Sequence, residues 1–550
     1  MAVAEPLAER WLYGPGRDLL FGCGLLYALL FAVFAMVGPG IRELHPPYLI
    51  PLLMILVSTP HYGATLLRVY EHREDRRAYA FFTVWVTIAL CVAFVLGVYI
   101  NWVGTLMLTL YLTWSPWHYT GQNYGIAVMF LRRRGIDIPE ATKKWLHASF
   151  ILSYILLFLV MHGRADVENP QAALFVNGGV HLAYLGLPEA LTRVAIPLAV
   201  VAYLVALAGT AAQLLKRASP RDLVPVAMLC LTQALWFSLP EAARYWNLHG
   251  GLDVINFDYR AYYFSWIVFG HAAQYLWITA YFAKAKGDFK GHGRFFGKAL
   301  LAGNVAWMLP ALCLTPDGIG SLSYDLGLGM LVAALVNLHH FVLDGAIWKL
   351  RSHRVASILI RSSPSPPEAL EGNASGSSWR PALAWGGAAI LLLGTAVELY
   401  ESQWVVPAAL EREDFAAASE SLDRMAWFAK DPAQGRAQMG SHLLSIGRFD
   451  EARGQYERSL ALQPGVEAHV GIGQIHAQAG RWPEALSAYE AALDVNPDLA
   501  GVVVQAGMAQ QSMGNLAAAR QSYEKALTLW PDLDAAREGL EQVERLQRSR

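Results

Sequence analysis

Long apolar runs dominate the first 400 residues of this chain and limit the folds that it can adopt. A helix of about 20 apolar residues spans the hydrocarbon of a bilayer. Only 16% of the residues are charged, whereas soluble domains carry about 25%. We therefore predict an all-α, polytopic helical membrane bundle of about 11 spans, near residues 19–38, 48–69, 79–100, 103–130, 145–161, 190–214, 223–239, 261–283, 299–315, 324–348 and 382–399.

The lysines and arginines between these runs predict the orientation of the bundle. Basic clusters follow the second, fourth, sixth, eighth and tenth predicted spans, and the alternate loops are poor in Lys and Arg. Cytoplasmic loops are the basic ones. We therefore expect a multi-pass protein of the inner (plasma) membrane with a cytoplasmic N-terminus and a periplasmic C-terminal part. The bilayer is its first partner, and no basic stripe with interleaved aromatic residues indicates nucleic-acid binding.

The composition changes after the tenth predicted span and defines four regions. Residues 1–361 form the predicted membrane domain, and residues 362–380 are a linker rich in Pro, Ser and Gly. Residues 381–404 hold the last predicted span, and residues 405–550 have a lower apolar content. We expect the last region to be soluble.

Residues 405–550 contain an internal repeat of 33–34 residues. A Gly, an Ala, a Tyr and a Pro recur in step, for example at Gly440, Ala452, Tyr456 and Pro464. These positions resemble the tetratricopeptide repeat, an α-solenoid of paired helices. Three repeats fit well, 405–432 fits a degenerate helical pair, and 535–548 fits a capping helix. The resemblance implies a concave surface that binds a partner protein.

Histidines lie inside four of the apolar runs, all of them even-numbered spans. They are His61, His118, His271 and His339, with His340 beside the last. They precede the next basic loop by 7 to 14 residues, which places them roughly 10–20 Å from the inner boundary at about 1.5 Å per residue. Ionisable side chains in hydrocarbon are costly and normally serve a function. Their common depth predicts one shared site.

A metal centre is the interpretation that we favour for these histidines, since imidazole is the commonest side-chain metal ligand. Hydrogen bonding between neighbouring helices and a bis-histidine haem remain alternatives. Imidazole ligation suits iron, copper or zinc, but no HExxH motif supports a zinc protease. We expect non-haem Fe(II), with haem or copper as alternatives. Predicted outer hydrogen-bond partners of the ligands are Tyr275, Asp344, Gln122, Gln274 and Asn337.

The order of these motifs resembles that of the Brp/Blh family of bacterial and archaeal membrane proteins. The matching residues are Pro60-His61, His118-Tyr119-x-Gly121, His271 and His339-x4-Asp344. Members of that family are carotene 15,15'-dioxygenases, which cleave β-carotene to retinal with non-haem iron held by histidines in a helical bundle. The family's third motif has two histidines four residues apart, whereas Tyr275 follows His271 here.

From these patterns we predict a membrane iron enzyme, an oxygenase that acts on a lipophilic, carotenoid-like small molecule. His61, His118 and His271 would be core ligands, and His339 or His340 the fourth. No catalytic acid or base is singled out. One alternative is a polytopic glycosyltransferase, for which the first outer loop offers only the carboxylate of Glu43. Another is a transport or assembly scaffold whose histidines bind haem or relay protons.

Overall fold

The computed structural model describes residues 10–38, 46, 48–71, 73–163, 182–250, 260–285, 289–315, 328–348, 353–360, 379–428 and 430–548. Within these ranges the regular structure is helical, apart from a single bridge between Gly163 and Leu187. The chain divides into two compact units, residues 1–308 with 330–392 and residues 309–329 with 393–550. Glu43 and nearly all of the predicted linker 362–380 lie outside the described residues.

The first unit consists mainly of long helices, two of which have their last turns in the second unit. A bend of 57° separates the first two helices, where Gly24 adopts a left-handed backbone with φ 80°. The helices are α1 (Pro15–Gly22), α2 (Leu25–Val37), α3 (Leu49–Tyr70), α4 (Arg73–Ala78), α5 (Phe81–Tyr99), α6 (Asn101–Arg133), α7 (Glu140–Met161), α8 (Glu189–Leu215), α9 (Pro220–Asn247), α10 (Arg260–Ala285), α11 (His292–Leu314), α12 (Gly329–Ile347), α13 (His353–Leu359) and α14 (Trp379–Tyr400).

Eight of the described helices are long and apolar enough to cross a bilayer, or nine if α1 and α2 together form one span. The predicted count of about 11 spans is therefore not confirmed. The two predicted spans without such a helix are 103–130 and 261–283, which correspond to α6 and α10. Both are continuous helices, but both carry His, Gln, Thr and Gly, and these residues lower their hydropathy. A helix that other helices surround does not need apolar side chains on all of its faces.

A close crossing of α3 and α11 fixes the helix that carries His61. A Cβ atom at Gly63 would lie 1.7 Å from the Ala299 carbonyl oxygen, and one at Gly303 would lie 2.0 Å from the Thr59 carbonyl oxygen. Small residues allow such close backbone contact between helices in membrane bundles. Glycine is therefore required at Gly63 and Gly303.

The second unit contains the helical repeat. The end of α14 and a π-helical turn over Glu401–Val405 precede this repeat, followed by two shorter helices. Consecutive helices then pack against each other in pairs, as expected of a solenoid. The helices are α15 (Val406–Glu411), α16 (Phe415–Ala426), α17 (Ala433–Ser445), α18 (Phe449–Leu462), α19 (Val466–Gln478), α20 (Trp482–Val495), α21 (Ala500–Ser512), α22 (Leu516–Leu529) and α23 (Asp534–Arg548).

The repeated Gly and Tyr residues contact each other within each helical pair. A Cβ atom at Gly473 would lie 2.4 Å from Cε1 of Tyr489. The equivalent distance is 2.7 Å from Gly440 to Tyr456. Each tyrosine ring therefore occupies the space that a side chain on the preceding helix would need. This contact explains why the two residue types recur with the same period.

Candidate metal centre

Three imidazoles from three helices meet in the interior of the first unit. Nε2 of His61 on α3 lies 2.8 Å from Nε2 of His340 on α12. Nε2 of His271 on α10 lies 3.2 Å from Nε2 of His61. All three side chains are at least 98% buried. Three nitrogens thus face one small, enclosed volume.

His118 on α6 and the carboxylate of Asp344 complete this group. The ring of His118 lies 5.0 Å from the rings of both His271 and His340, centroid to centroid. Oδ2 of Asp344 lies 3.4 Å from Nε2 of His340 and 3.7 Å from Nε2 of His118. We call His61, His118, His271, His340 and Asp344 the histidine cluster. Asp344 was predicted as an outer partner, but one of its oxygens faces the same volume as the ligand nitrogens.

Aromatic rings hold two of these imidazoles in place. Tyr119 stacks on His271 at a centroid distance of 4.1 Å, and Phe341 stacks on His118 at 4.5 Å. Each stacking residue directly follows a histidine of the cluster in sequence. Neighbouring side chains on a helix point about 100° apart, so the aromatic ring reaches an imidazole of another helix. Stacking restricts the rotation of these two imidazole rings, so their nitrogens keep their direction even when no ligand or metal is bound.

A chain of hydrogen bonds connects His340 to Asp344. Nδ1 of His340 lies 2.9 Å from the hydroxyl of Thr65. Thr65 donates to the hydroxyl of Tyr275 at 2.6 Å, and Tyr275 donates to Oδ1 of Asp344 at 2.7 Å. Trp348 also donates to the Tyr275 hydroxyl, at 3.2 Å. The Thr65 hydroxyl thus links Nδ1 of His340 to Tyr275, while Nε2 of His340 faces His61.

The spacing of the nitrogens matches the donor set of a metal ion. Two nitrogen ligands at about 2.1 Å from one ion are about 3 Å apart at a right angle and about 3.4 Å apart in a tetrahedron. The His61–His340 and His61–His271 distances of 2.8 Å and 3.2 Å lie close to this range. A donor set of four neutral imidazoles and one carboxylate would offset one of the two positive charges of a divalent cation.

His339 lies outside the histidine cluster. Its Nε2 lies 2.9 Å from the hydroxyl of Thr87 and 3.3 Å from that of Tyr70, on a different side of α12 from His340. The sequence leaves the choice between the two adjacent histidines open. Neighbouring residues on one helix point in different directions, so only one of them can face the cluster, and it is His340.

The remaining predicted partners lie one layer further out. Gln122 donates to the backbone carbonyl of His271 at 3.3 Å and to the side-chain oxygen of Gln274 at 3.0 Å. Asn337 accepts a hydrogen bond of 2.7 Å from the hydroxyl of Tyr62. These amides connect helices and do not contact the imidazole nitrogens. Tyr62 follows His61 in sequence.

Thr65 is a member of the site that sequence reasoning missed. It lies four residues after His61, and residues with that spacing share one helix face. This spacing is the signal that could have identified it. A threonine in an apolar helix is common, however, because its hydroxyl can bond a carbonyl of the preceding turn.

A cavity of about 350 Å³ adjoins the histidine cluster. It reaches His118, Tyr275 and Asp344 at one end. Trp114 and Trp117 line it and are also 38% and 44% exposed, so the cavity extends to the apolar surface of the unit. Its other lining residues are mainly glycine and apolar side chains, including Gly121, Gly125, Ile126, Met129, Ile278, Phe341, Gly345 and Trp348.

Comparison with known proteins identifies the C-terminal region. Two tetratricopeptide repeat models match residues 437–500 and 500–546. Residues 437–546 are therefore tetratricopeptide repeats, which confirms the predicted repeat in that range. The chain is 31% identical over 106 residues to the Hsp70-Hsp90 organizing protein of Triticum aestivum. That match covers 18% of this chain and spans only 18% of the relative's length.

Solved structures are similar over the same small share of the chain. The first tetratricopeptide domain of Spaghetti (RPAP3), bound to an HSP90 peptide, is 20% identical with a TM-score of 0.21. The match covers 21% of this chain and 92% of the chain in that structure. MamA is 18% identical with a TM-score of 0.25, and covers 28% of this chain and 82% of its own.

Proposed function

We propose that the first unit is an integral-membrane metalloprotein whose centre is the histidine cluster. The observation that supports this most directly is the convergence of four imidazoles from four helices in a buried volume, where Nε2 of His61 lies 2.8 Å from that of His340 and 3.2 Å from that of His271. His61, His271 and His340 would hold the ion. His118 and Asp344 would supply a fourth and a fifth ligand or bind a water between them.

Non-haem iron is the metal that we propose. Mixed imidazole and carboxylate ligation suits iron, and copper remains an alternative. His61 and His340 are 2.8 Å apart and leave no room for a porphyrin between them. Bound iron would supply the redox chemistry with dioxygen that an oxygenase needs.

A lipophilic substrate fits the cavity beside the histidine cluster. Tryptophan side chains, other apolar side chains and three glycines line it, and it reaches the apolar surface near Trp114 and Trp117. Ligand sites combine an apolar lining with a few polar groups that orient the ligand. Together with the resemblance of the motifs to the Brp/Blh family, this favours oxygenation of a carotenoid-like molecule.

The residues around the ligands would control geometry and water. Thr65 and Tyr275 hold Asp344 and His340 in one arrangement through the hydrogen bonds described above. Outer partners of this kind orient the ligands of a metal and tune their basicity. Tyr275, which stands where the resembling family has a second histidine, would therefore act as a positioning residue. The apolar walls of the cavity would exclude water from the substrate.

We propose the inner membrane as the location of the first unit. Large apolar side chains are exposed along α5 and α8, among them Trp85 and Leu198, and an extensive exposed apolar surface needs an apolar surrounding. The basic loops favour a cytoplasmic N-terminus. The tetratricopeptide repeats would then lie in the periplasm and bind a partner protein through their concave face.

Metal analysis of the purified full-length chain tests the central proposal. We expect about one iron per chain, and iron loss in a His61→Ala/His118→Ala double variant. The same preparations would be incubated with β-carotene in air, and loss of carotenoid absorbance and oxygen uptake would be followed. Stoichiometric iron without carotenoid turnover would refute the substrate class alone. A metal-free preparation that retains turnover would refute the metal centre.

A proton relay is the second candidate, because hydrogen bonds connect His340, Thr65, Tyr275 and Asp344 inside the unit. Chains of His and Asp residues carry protons in membrane pumps. Dependence of function on membrane potential in a protein without bound metal would favour this candidate.

A further inference from the structure

A second cavity of about 300 Å³ lies between α3, α10 and the start of α11, away from the histidine cluster. Along α3 it extends from Ala64 to Glu71, about 5–15 Å from His61 at 1.5 Å per residue. We call it the basic pocket. Its lining residues are Ala64, Leu67, Arg68, Glu71, Thr279, Phe282, Ala283, Phe289, Lys290, Arg294, Phe295 and Lys298.

Arg68 is a buried cation whose donors face the basic pocket. Only 6% of its side chain is exposed. The guanidinium lies 4.4 Å from the centre of the Phe282 ring, and one nitrogen is 3.2 Å from a carboxylate oxygen of Asp75. No nitrogen of this guanidinium has a hydrogen-bond partner of good geometry among the described residues. Arginine offers five N–H donors, so it has donors available for a ligand.

Positive charge exceeds negative charge around this pocket. Four of its lining residues are cationic, and Glu71 is the only acidic one. Glu71 forms an ion pair with Lys298. Within the described part of the chain, Lys290 and Arg294 form no ion pair. Arg68, Lys290 and Arg294 therefore repel one another in a concave site. A bound anion would reduce this repulsion.

The walls of the pocket are apolar on the side of the helices. Leu67, Phe289 and Phe295 face the same cavity as the cations. A site with both properties suits an amphiphilic anion, and basic pockets between membrane helices on the cytoplasmic side bind lipid headgroups. Guanidinium groups favour phosphate because they can bind two of its oxygens at once.

We propose that the basic pocket binds a phosphate monoester or diester, either the headgroup of an anionic lipid or a soluble phosphate compound. The phosphate would contact Arg68, Lys290 and Arg294, and an acyl or other apolar group would lie against Phe289 and Phe295. The site is separate from the metal centre and does not depend on it. Through Arg68, the helix α3 would respond to the anionic lipid content of the inner leaflet or to the concentration of a soluble phosphate compound.

Three probes would be titrated against the full-length chain in neutral detergent, with binding followed by calorimetry. They are dihexanoyl phosphatidic acid, inorganic phosphate and dihexanoylglycerol, which lacks the phosphate. We expect saturable binding of the phosphatidic acid and none of the dihexanoylglycerol. Weak binding of inorganic phosphate would identify a lipid headgroup as the ligand, and equal binding of the two would identify a soluble phosphate compound.

A Lys290→Gln/Arg294→Gln variant should bind the phosphatidic acid roughly thirtyfold more weakly, given about 1 kcal/mol for each basic residue near a lipid phosphate. Lys216→Gln/Arg217→Gln is the matched control, since it removes the same two charges from an exposed turn after α8. The charge-retaining Lys290→Arg/Arg294→Lys variant should bind within a few-fold of the parent, and it separates a ligand effect from a folding defect.

Three results would overturn the proposal. The first is equal weakening in the pocket variant and the control, which would mean diffuse charge attraction. The second is binding of dihexanoylglycerol as tight as that of the phosphatidic acid. The third is failure of both phosphate-bearing probes to bind the parent protein.

Discussion

Nε2 of His61 lies 2.8 Å from Nε2 of His340, although 279 positions separate the two residues in the chain. Two imidazole nitrogens that approach so closely share either a proton or an ion. The Nδ1 contact of His340 with Thr65 directs its other nitrogen toward His61. The helices α3 and α12 therefore each direct one imidazole nitrogen to a common point.

Replacement of His340 should remove bound metal, whereas replacement of His339 should not. The two residues are adjacent on α12, but only His340 lies in the histidine cluster. We expect His340→Ala to lose most of the iron found in the parent protein and His339→Ala to keep it, as measured by elemental analysis of purified protein. Equal metal content in the two variants would contradict the assignment.

Removal of the Tyr275 hydroxyl should weaken metal binding without abolishing it. This hydroxyl donates to Asp344 at 2.7 Å and accepts from Thr65 at 2.6 Å. Loss of such an outer partner typically lowers metal affinity about 10–100-fold. Competition with a chelator would measure the affinity of Tyr275→Phe. Tyr70→Phe is the control, because the Tyr70 hydroxyl contacts His339, and an equal loss there would rule out a specific role for Tyr275.

A large side chain at Gly121 should block the cavity and leave the metal in place. A Cβ atom there meets no atom within 4 Å, so a leucine would project into the cavity beside His118. We expect Gly121→Leu to lower kcat/KM for the lipophilic substrate about tenfold or more, with unchanged iron content. Gly386→Leu is the control on α14, where a Cβ atom is also unobstructed. Full activity of Gly121→Leu would place the substrate elsewhere.

Alanine at Gly473 should destabilise the repeat, although alanine favours helices. Its Cβ would lie 2.4 Å from the ring of Tyr489, and overpacking of this kind costs about 1–3 kcal/mol. Gly454→Ala adds the same methyl group where no atom lies within 4 Å and should stabilise by up to about 1 kcal/mol. Hydrogen exchange of α19 and α20 in the full-length chain would show faster opening in Gly473→Ala only, if the packing argument holds.

Several features were predictable from the sequence because they depend on local periodicity. The helical repeat follows from the recurrence of residues such as Gly473 and Tyr489, which contact each other inside one helical pair. The common depth of His61, His118 and His271 in a bilayer stays a prediction, which rests on the rise of a helix and the position of the next basic loop. Helix boundaries and residue spacing along one element need no tertiary contact, so sequence patterns carry them.

Other features depend on the rotation of one helix against another, which local periodicity does not specify. The choice of His340 over His339 follows from the face that α12 turns toward α3. The inward direction of Asp344 and the role of Thr65 follow from the same packing. That packing depends on close contacts such as Gly63 against Ala299, between residues far apart in sequence. The sequence by itself determined which helices exist and which polar residues they carry, and the tertiary structure decided which of those residues share a site, because long-range packing sets the azimuth of each helix.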